Sequence, residues 1–130
     1  MSAVVDTNVL IFDTFEDSEL HRSATTKLDS LDKWHLTSIM FHELVWFFKG
    51  RGIQLARTRL KIEEYMTNEK TVFISCMPDD IRFAVTEIRN YRHYNDLVIL
   101  SAAKRLGLPL FTFDDELKEI AVRYSVPLIT

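Results

Sequence analysis

An α/β architecture, a three-layer sandwich around a central, mainly parallel five-stranded sheet, is what this sequence predicts. Three observations carry that expectation. Short apolar runs alternate with helical periodicity from one end of the chain to the other. The runs are continuously apolar, as in strands covered on both faces, and do not alternate with polar residues. Only three glycines and three prolines occur in 130 residues, so connections are short and few glycine turns are available. The length suits one domain over residues 1–130, and no repeat, linker or low-complexity segment divides it.

The elements follow in order. Ala3-Val4-Val5 reads as a buried strand ending at Asp6. A helix begins at Thr7, capped by Asp6 or Thr7, and reaches about residue 12. After an acidic stretch, residues 21–31 set Ala24, Leu28 and Leu31 on one helical stripe. Residues 34–37 form the second strand, and Ser38 is the expected cap of a helix through residue 48, halted by Gly50 and Gly52. Residues 53–67 are helical and basic in their first half. Residues 71–75, β-branched and aromatic, form the third strand. Pro78, with Asp79 and Asp80 behind it, opens a helix. Residues 95–106 form another, ended by Gly107 and Pro109. A fourth strand at 110–113, a helix at 114–124 and a short fifth strand at 126–129 complete the pattern.

Composition excludes several classes. With 47% hydrophobic and 27% charged residues the chain is globular, neither disordered nor fibrous. The single Cys76 excludes an intrachain disulfide and suits a reducing, cytoplasmic compartment. No apolar run approaches the ~18 residues of a bilayer span, and the first residues lack the features of a secretory signal. A net charge of −3 argues against wholesale attraction to nucleic acid, yet it permits a local basic patch or a metal-bridged phosphate.

Four acids stand out by position. Open α/β sheets gather ligands beyond the carboxyl ends of their strands. Asp6 ends the first strand and Asp114 follows the fourth, so both project at that edge; each also suits a helix N-cap. Glu43 has Ile39, Met40, Trp46 and Phe47 as its helical neighbours, an apolar stripe where a carboxylate loses hydration unless a donor or cation compensates. Asp96 opens a helix that is apolar and then small, through Ser101, Ala102 and Ala103. Four carboxylates converging on one edge repel one another without a cation, and hard oxygen ligands select Mg²⁺ or Mn²⁺. Such a site can orient water and neutralise charge on a phosphodiester. The four histidines and one cysteine show no zinc spacing.

At these residues the chain resembles the PIN-domain family. Val4-Val5-Asp6-Thr7-Asn8-Val9-Leu10-Ile11 matches that family's first motif. Glu43, the segment Asn95 to Ala103, and Phe111-Thr112-Phe113-Asp114 match the other three in order and spacing. The resemblance covers nearly the whole chain and is most similar to VapC-type toxins. It implies a ribonuclease dependent on Mg²⁺ or Mn²⁺, a five-stranded parallel sheet, a homodimer and a VapB-type antitoxin partner. It implies Asp6, Glu43, Asp96 and Asp114 as the catalytic and metal-binding set, supported by hydrogen bonds from Asn8 and Thr112. Asp115 is an additional acid that either assists or favours the helix N-terminus. A non-catalytic module binding RNA or protein, and a nuclease of RNA processing, are the alternatives. A haloacid-dehalogenase-type phosphatase requires a second Asp where Asn8 stands. A receiver domain requires a late Lys that does not follow the last strands.

RNA approaching acids needs cations nearby. Arg89, Arg92 and His93, interleaved with Tyr91 and Tyr94, precede Asp96 and are candidate RNA contacts. Lys49, Arg51, Arg57, Arg59 and Lys61 form a second basic group, of which Arg57 to Lys61 reads as a solvated face because Glu63 and Glu64 follow. The helix at 39–48 is apolar nearly all round. One of Trp46, Phe47 and Phe48 packs on the sheet, and neighbouring helices or another chain must cover the others.

Overall fold

The structure, a computed structural model, describes residues 1–130. Strands β1 (Ala3–Val5), β2 (Trp34–Thr37), β3 (Thr71–Ile74) and β4 (Leu110–Phe111) form one parallel sheet in the order β3-β2-β1-β4. Helices are α1 (Thr7–Thr14), α2 (His21–Ser30), α3 (Ser38–Gly50), α4 (Leu55–Thr67), α5 (Pro78–Glu87), α6 (Tyr94–Leu106) and α7 (Asp115–Arg123), with a 3₁₀ turn at Tyr91–His93. The strands' period of two divides the core. Ala3, Val5, Leu36 and Phe111 pack with residues of α1 to α4, while Val4 and Leu110 pack with residues of α5 to α7. The three layers are therefore helices, sheet and helices, with β1 wholly buried between them.

The sheet has four strands where five were expected. At 126–129 only a parallel bridge between Leu110 and Leu128 forms. It is flanked by bonds from Leu110 N–H to Pro127 O (2.8 Å) and from Ile129 N–H to Leu110 O (2.9 Å). Pro127 has no N–H to extend the ladder. Strand β4 stops at Phe111 because its neighbour β1 has already turned into α1 at Thr7. Thr37, and not Ser38, caps α3: its hydroxyl accepts from Met40 N–H (3.3 Å), while Ser38 accepts from Cys76 N–H (3.0 Å). Helix α4 starts at Leu55, two residues late, since Gly52 (φ +70°) holds the turn and Ile53 N–H still bonds back to Phe48 O. Gly107, in the left-handed region at φ +65°, closes α6 as expected.

The aromatic run on α3 is largely covered by its own chain. Phe48 is buried, Phe47 half-buried, and both meet the Phe15 ring edge-on at 6.1 and 6.0 Å. Trp46 remains 64% exposed. The second basic group is dispersed in the same region. Arg51 lies over Phe15 and Phe47, Lys49 over Trp46, and Lys61 pairs with Glu64 at 3.1 Å.

On the opposite face one buried acid locks α5 to α6. Asp80 is 1% exposed, accepts from Met77 N–H (2.9 Å) and Ser101 Oγ (2.8 Å), and pairs with Arg105 Nη2 (3.0 Å). Burial pushes its carboxyl up, but the bonds from Arg105, Met77 and Ser101 outweigh this and hold it below the usual range. A depressed folded-state value stabilises the protein above the unfolded pKa and ceases to do so as pH falls through the folded value. Asp80→Asn should therefore cost about 1–3 kcal/mol at pH 7. Urea unfolding of the two proteins should converge as pH falls below about 4; a constant difference down to pH 3 would refute the ionic role.

Candidate active site

The strand order creates the site. The chain moves from β1 outward through β2 to β3, then returns to lay β4 on the other side of β1. Connections on the two sides of β1 thus diverge, leaving a crevice beyond the carboxyl ends of β1 and β4. Asp6 and Thr112 occupy those two ends. Thr112 Oγ1 donates to Asp6 Oδ2 at 2.7 Å, and Thr7 N–H donates to Asp6 Oδ1 at 2.8 Å. Asp6 also caps α1, so capping and site placement are one arrangement. It is only 5% exposed.

Thr112 is the pivot of the crevice. Its hydroxyl oxygen accepts from Asp114 N–H (3.0 Å) and from Asn8 Nδ2 (3.4 Å), and Asn8 Oδ1 accepts from Phe113 N–H (3.3 Å). These bonds tie the β4–α7 connection to α1. Asp114 caps α7, with Oδ1 accepting from Glu116 N–H at 2.9 Å. Glu43 reaches in from α3: Oε1 accepts from Thr7 Oγ1 (2.7 Å) and Oε2 from Asn95 Nδ2 (3.3 Å). Those two donors supply the compensation its apolar stripe demands. Asp96, in the first turn of α6, accepts from His93 Nδ1 at 3.4 Å. Asp115 points into solvent, 3.9 Å from Lys118.

Residues 3–123 match the PIN domain family. This chain belongs to that family. No curated protein sequence matches it. Its fold resembles that of VapC20 of Mycobacterium tuberculosis, a sarcin–ricin-loop-cleaving toxin, at a TM-score of 0.78 and 13% identity, covering 91% of this chain and 94% of that one. It also resembles a chain of a toxin–antitoxin complex from Klebsiella pneumoniae, at a TM-score of 0.62 and 25% identity, covering 86% of each.

In this PIN domain several participants escape motif reading. Thr7 and Asn95 are neighbours of motif acids, and both turn out to hold Glu43. Glu116 carries no motif signal, yet it joins the site from outside. Its Oε2 meets His93 Nε2 at 3.2 Å and its Oε1 accepts from Arg92 Nη2 at 3.1 Å. His93 is thereby drawn in between Asp96 and Glu116, while Arg92 and Arg89 remain on the exposed rim.

The carboxylates feel one another. Burial, chiefly, pushes Asp6 up to about 7; the hydrogen bond from Thr112 opposes this, and the charges of Asp96 and Glu43 add to it. Burial likewise raises Asp96 to about 6, against the bond from His93 and with the charges of Asp114 and Glu43. All four acids thus share one local field. No three His, Cys, Asp or Glu side chains form a closed ligand cluster by themselves. Mg²⁺ does not demand one, since it keeps waters and uses one or two carboxylates with substrate phosphate. The oxygen-only donor set and the destabilised Asp6 carboxylate fit such an ion. Because the folded-state value of Asp6 is raised, this group's contribution to stability is greatest below the unfolded value near 3.9 and is lost as pH rises through about 7. In chelator, the melting temperature should fall between pH 5.5 and pH 8, and Asp6→Asn should flatten that slope; a wild-type curve already as flat as the variant's would contradict it.

Proposed function

We propose that this PIN domain is a ribonuclease that hydrolyses RNA phosphodiester bonds with Mg²⁺ or Mn²⁺, and that it is the toxin of a toxin–antitoxin pair. The observation that carries the reading is the electrostatic coupling of Asp6 and Asp96, both raised in pKa, to Glu43 and Asp114 at the ends of β1 and β4. Family membership supports nuclease chemistry, and the Klebsiella complex supports an antitoxin partner, which we take to be of the VapB type.

Asp6, Asp96, Asp114 and Glu43 would hold the ion. Bound there, it would supply Lewis-acid polarisation of the phosphate and a lowered pKa for water. The chain's own residues do the remaining work. Thr112 and Thr7 fix both oxygens of Asp6, so this carboxylate is aimed before substrate arrives. Asp114 has Oδ1 engaged at its helix cap, which leaves Oδ2 for the crevice. Glu43 and Asp96, each held by hydrogen bonds, are carboxylates that would orient an attacking water and take its proton. The water's oxygen would bond to phosphorus as the P–O3′ bond breaks, the carboxylate taking the water's proton and solvent protonating the departing oxygen, which gives a 5′-phosphate and a 3′-hydroxyl. Basic residues on the rim, Arg89 and Arg92 with His93 beneath them, would receive the backbone of single-stranded RNA.

A synthetic single-stranded RNA should be cut at neutral pH with Mg²⁺ or Mn²⁺, and EDTA should stop the reaction. Asp114→Asn should lower kcat/KM at least about 100-fold. Asp115→Asn should cost less than about threefold, as a surface change does. Cleavage undiminished in EDTA would sink the metal mechanism.

The proposed assembly is a homodimer using the outer surface of α3 and α4, where Trp46 is 64%, Leu55 63% and Val45 40% exposed. Light scattering should give twice 15.2 kDa at micromolar concentration, and Trp46→Glu should return the monomer without loss of melting temperature. Phe48 is unsuited to this test because it belongs to the protein's own core. A monomeric wild type would defeat the dimer and leave the nuclease intact.

A further inference from the structure

A cavity of about 320 Å³ lies beside the carboxylates, between the 3₁₀ turn and α7. Arg92, His93 and Glu116 form its wall toward the site, and His93 reaches through that wall to Asp96. Arg92 and Glu116 are engaged with each other. Four further charged side chains line the cavity without an ion-pair partner, Glu87, Arg89, Glu119 and Arg123, and Glu87 faces the Tyr124 hydroxyl. Tyr124 closes one side, its ring fixed edge-on against Phe83 at 5.1 Å. The cavity is at the small end of ligand sites, which run from about 300 to 1,000 Å³, so it suits one base-sized group and no helix or duplex.

We infer that this cavity receives an unpaired guanine base of the RNA, next to the phosphate engaged by the carboxylates; this rests on the ribonuclease reading above. Guanine presents two acceptors side by side, O6 and N7, and two donors side by side, N1–H and the N2 amine. A guanidinium donates to the first pair in a bidentate contact. A carboxylate accepts from the second pair in the same manner. With Arg89 given to the backbone and Glu87 to Tyr124, Arg123 offers the guanidinium and Glu119 the carboxylate, so both edges find partners. Uracil offers one N–H, adenine has an amine where guanine has O6, and cytosine lacks the O6–N7 edge. Each would form fewer bonds to Glu119 or Arg123 than guanine does. RNA-binding sites commonly read bases unstacked from single strands in this way.

The test uses single-stranded oligouridine carrying one guanosine, with inosine (no N2 amine) and 7-deazaguanosine (no N7) as replacements. Wild type should cut beside guanosine about 5- to 100-fold faster than within uridine, the discrimination one bidentate contact confers. Inosine and 7-deazaguanosine should each erode that ratio. Glu119→Gln should abolish the penalty for inosine and Arg123→Gln the penalty for 7-deazaguanosine, both at unchanged melting temperature. Binding is read separately by NMR in EDTA, with guanosine 5′-monophosphate against uridine 5′-monophosphate. Amide shifts at residues 119–124 with the first and not the second support the inference. Cleavage at equal rates beside guanosine and uridine, or a ratio that neither variant alters, overturns the cavity's role and leaves the nuclease standing. If no RNA is cut, the nuclease reading fails, and the NMR result decides the cavity: identical shifts for both nucleotides, or none, overturn it.

Discussion

One buried carboxylate sets the terms for the rest of the molecule. Asp6 stands at the end of the central strand, where apolar layers close on both sides. A charge there is costly unless donors or a cation compensate. Two donors are provided, and both arise from the backbone path: Thr7 is the next residue in the helix Asp6 caps, and Thr112 is the residue at which β4 stops pairing. They do not suffice, because burial still holds the group near neutrality. The same short strands that make β1 a good core element therefore create a standing demand for positive charge at its end. The fold tolerates this because its other buried acid is fully satisfied. Asp80 has an amide, a hydroxyl and a guanidinium, and it fastens α5 to α6 at a place remote from the demand.

Much of this arrangement is legible in the residues themselves. Continuous apolar runs fix β1 and β3, and Gly107 followed by Pro109 fixes the end of α6, since few backbone paths suit those types. Asp6, Asp96 and Asp114 are visible because each begins a helix immediately beyond, or facing, a strand's carboxyl end. Glu43 is visible because a carboxylate among Ile39, Met40 and Phe47 contradicts its own surroundings. The run Val-Pro-Leu-Ile is apolar enough for a fifth strand but lacks one donor, so it forms a single bridge. Ser38 and Thr37 carry equivalent hydroxyls for a cap, and only the backbone at ψ 153° decides that Thr37 is used.

The unread part of the site has a common cause. Asn95 to Glu43, His93 to Glu116 and Thr7 to Glu43 are side-chain bonds between elements far apart in sequence. No periodicity or spacing encodes them, because they depend on how two helices meet. Asn95 is the instructive case. Beside Asp96 it passes as ordinary variation in a helix start, yet one turn of geometry aims it across the crevice at α3.

Helix α7 joins the carboxylates to the neighbouring cavity. Its first turn places Asp114 as the cap and Glu116 two residues on, so one helix end contributes a carboxylate to the crevice and another to the rim. Glu116 is shared: His93 connects it inward to Asp96, and Arg92 connects it outward to the wall of the neighbouring cavity. Farther along the same helix, Glu119 and Arg123 line that cavity. Spacing of three and four residues puts 116, 119 and 123 on one helical face. A rigid helix therefore carries Asp114 and the cavity's unpaired charges at fixed separation, and its anchor to β1 is the Thr112 hydroxyl, bonded at once to Asp6 and to the Asp114 amide. Positioning of a phosphate and recognition of its neighbouring base would then depend on the same few hydrogen bonds. A change at Thr112 should disturb both together, whereas a change at Glu119 should disturb recognition alone.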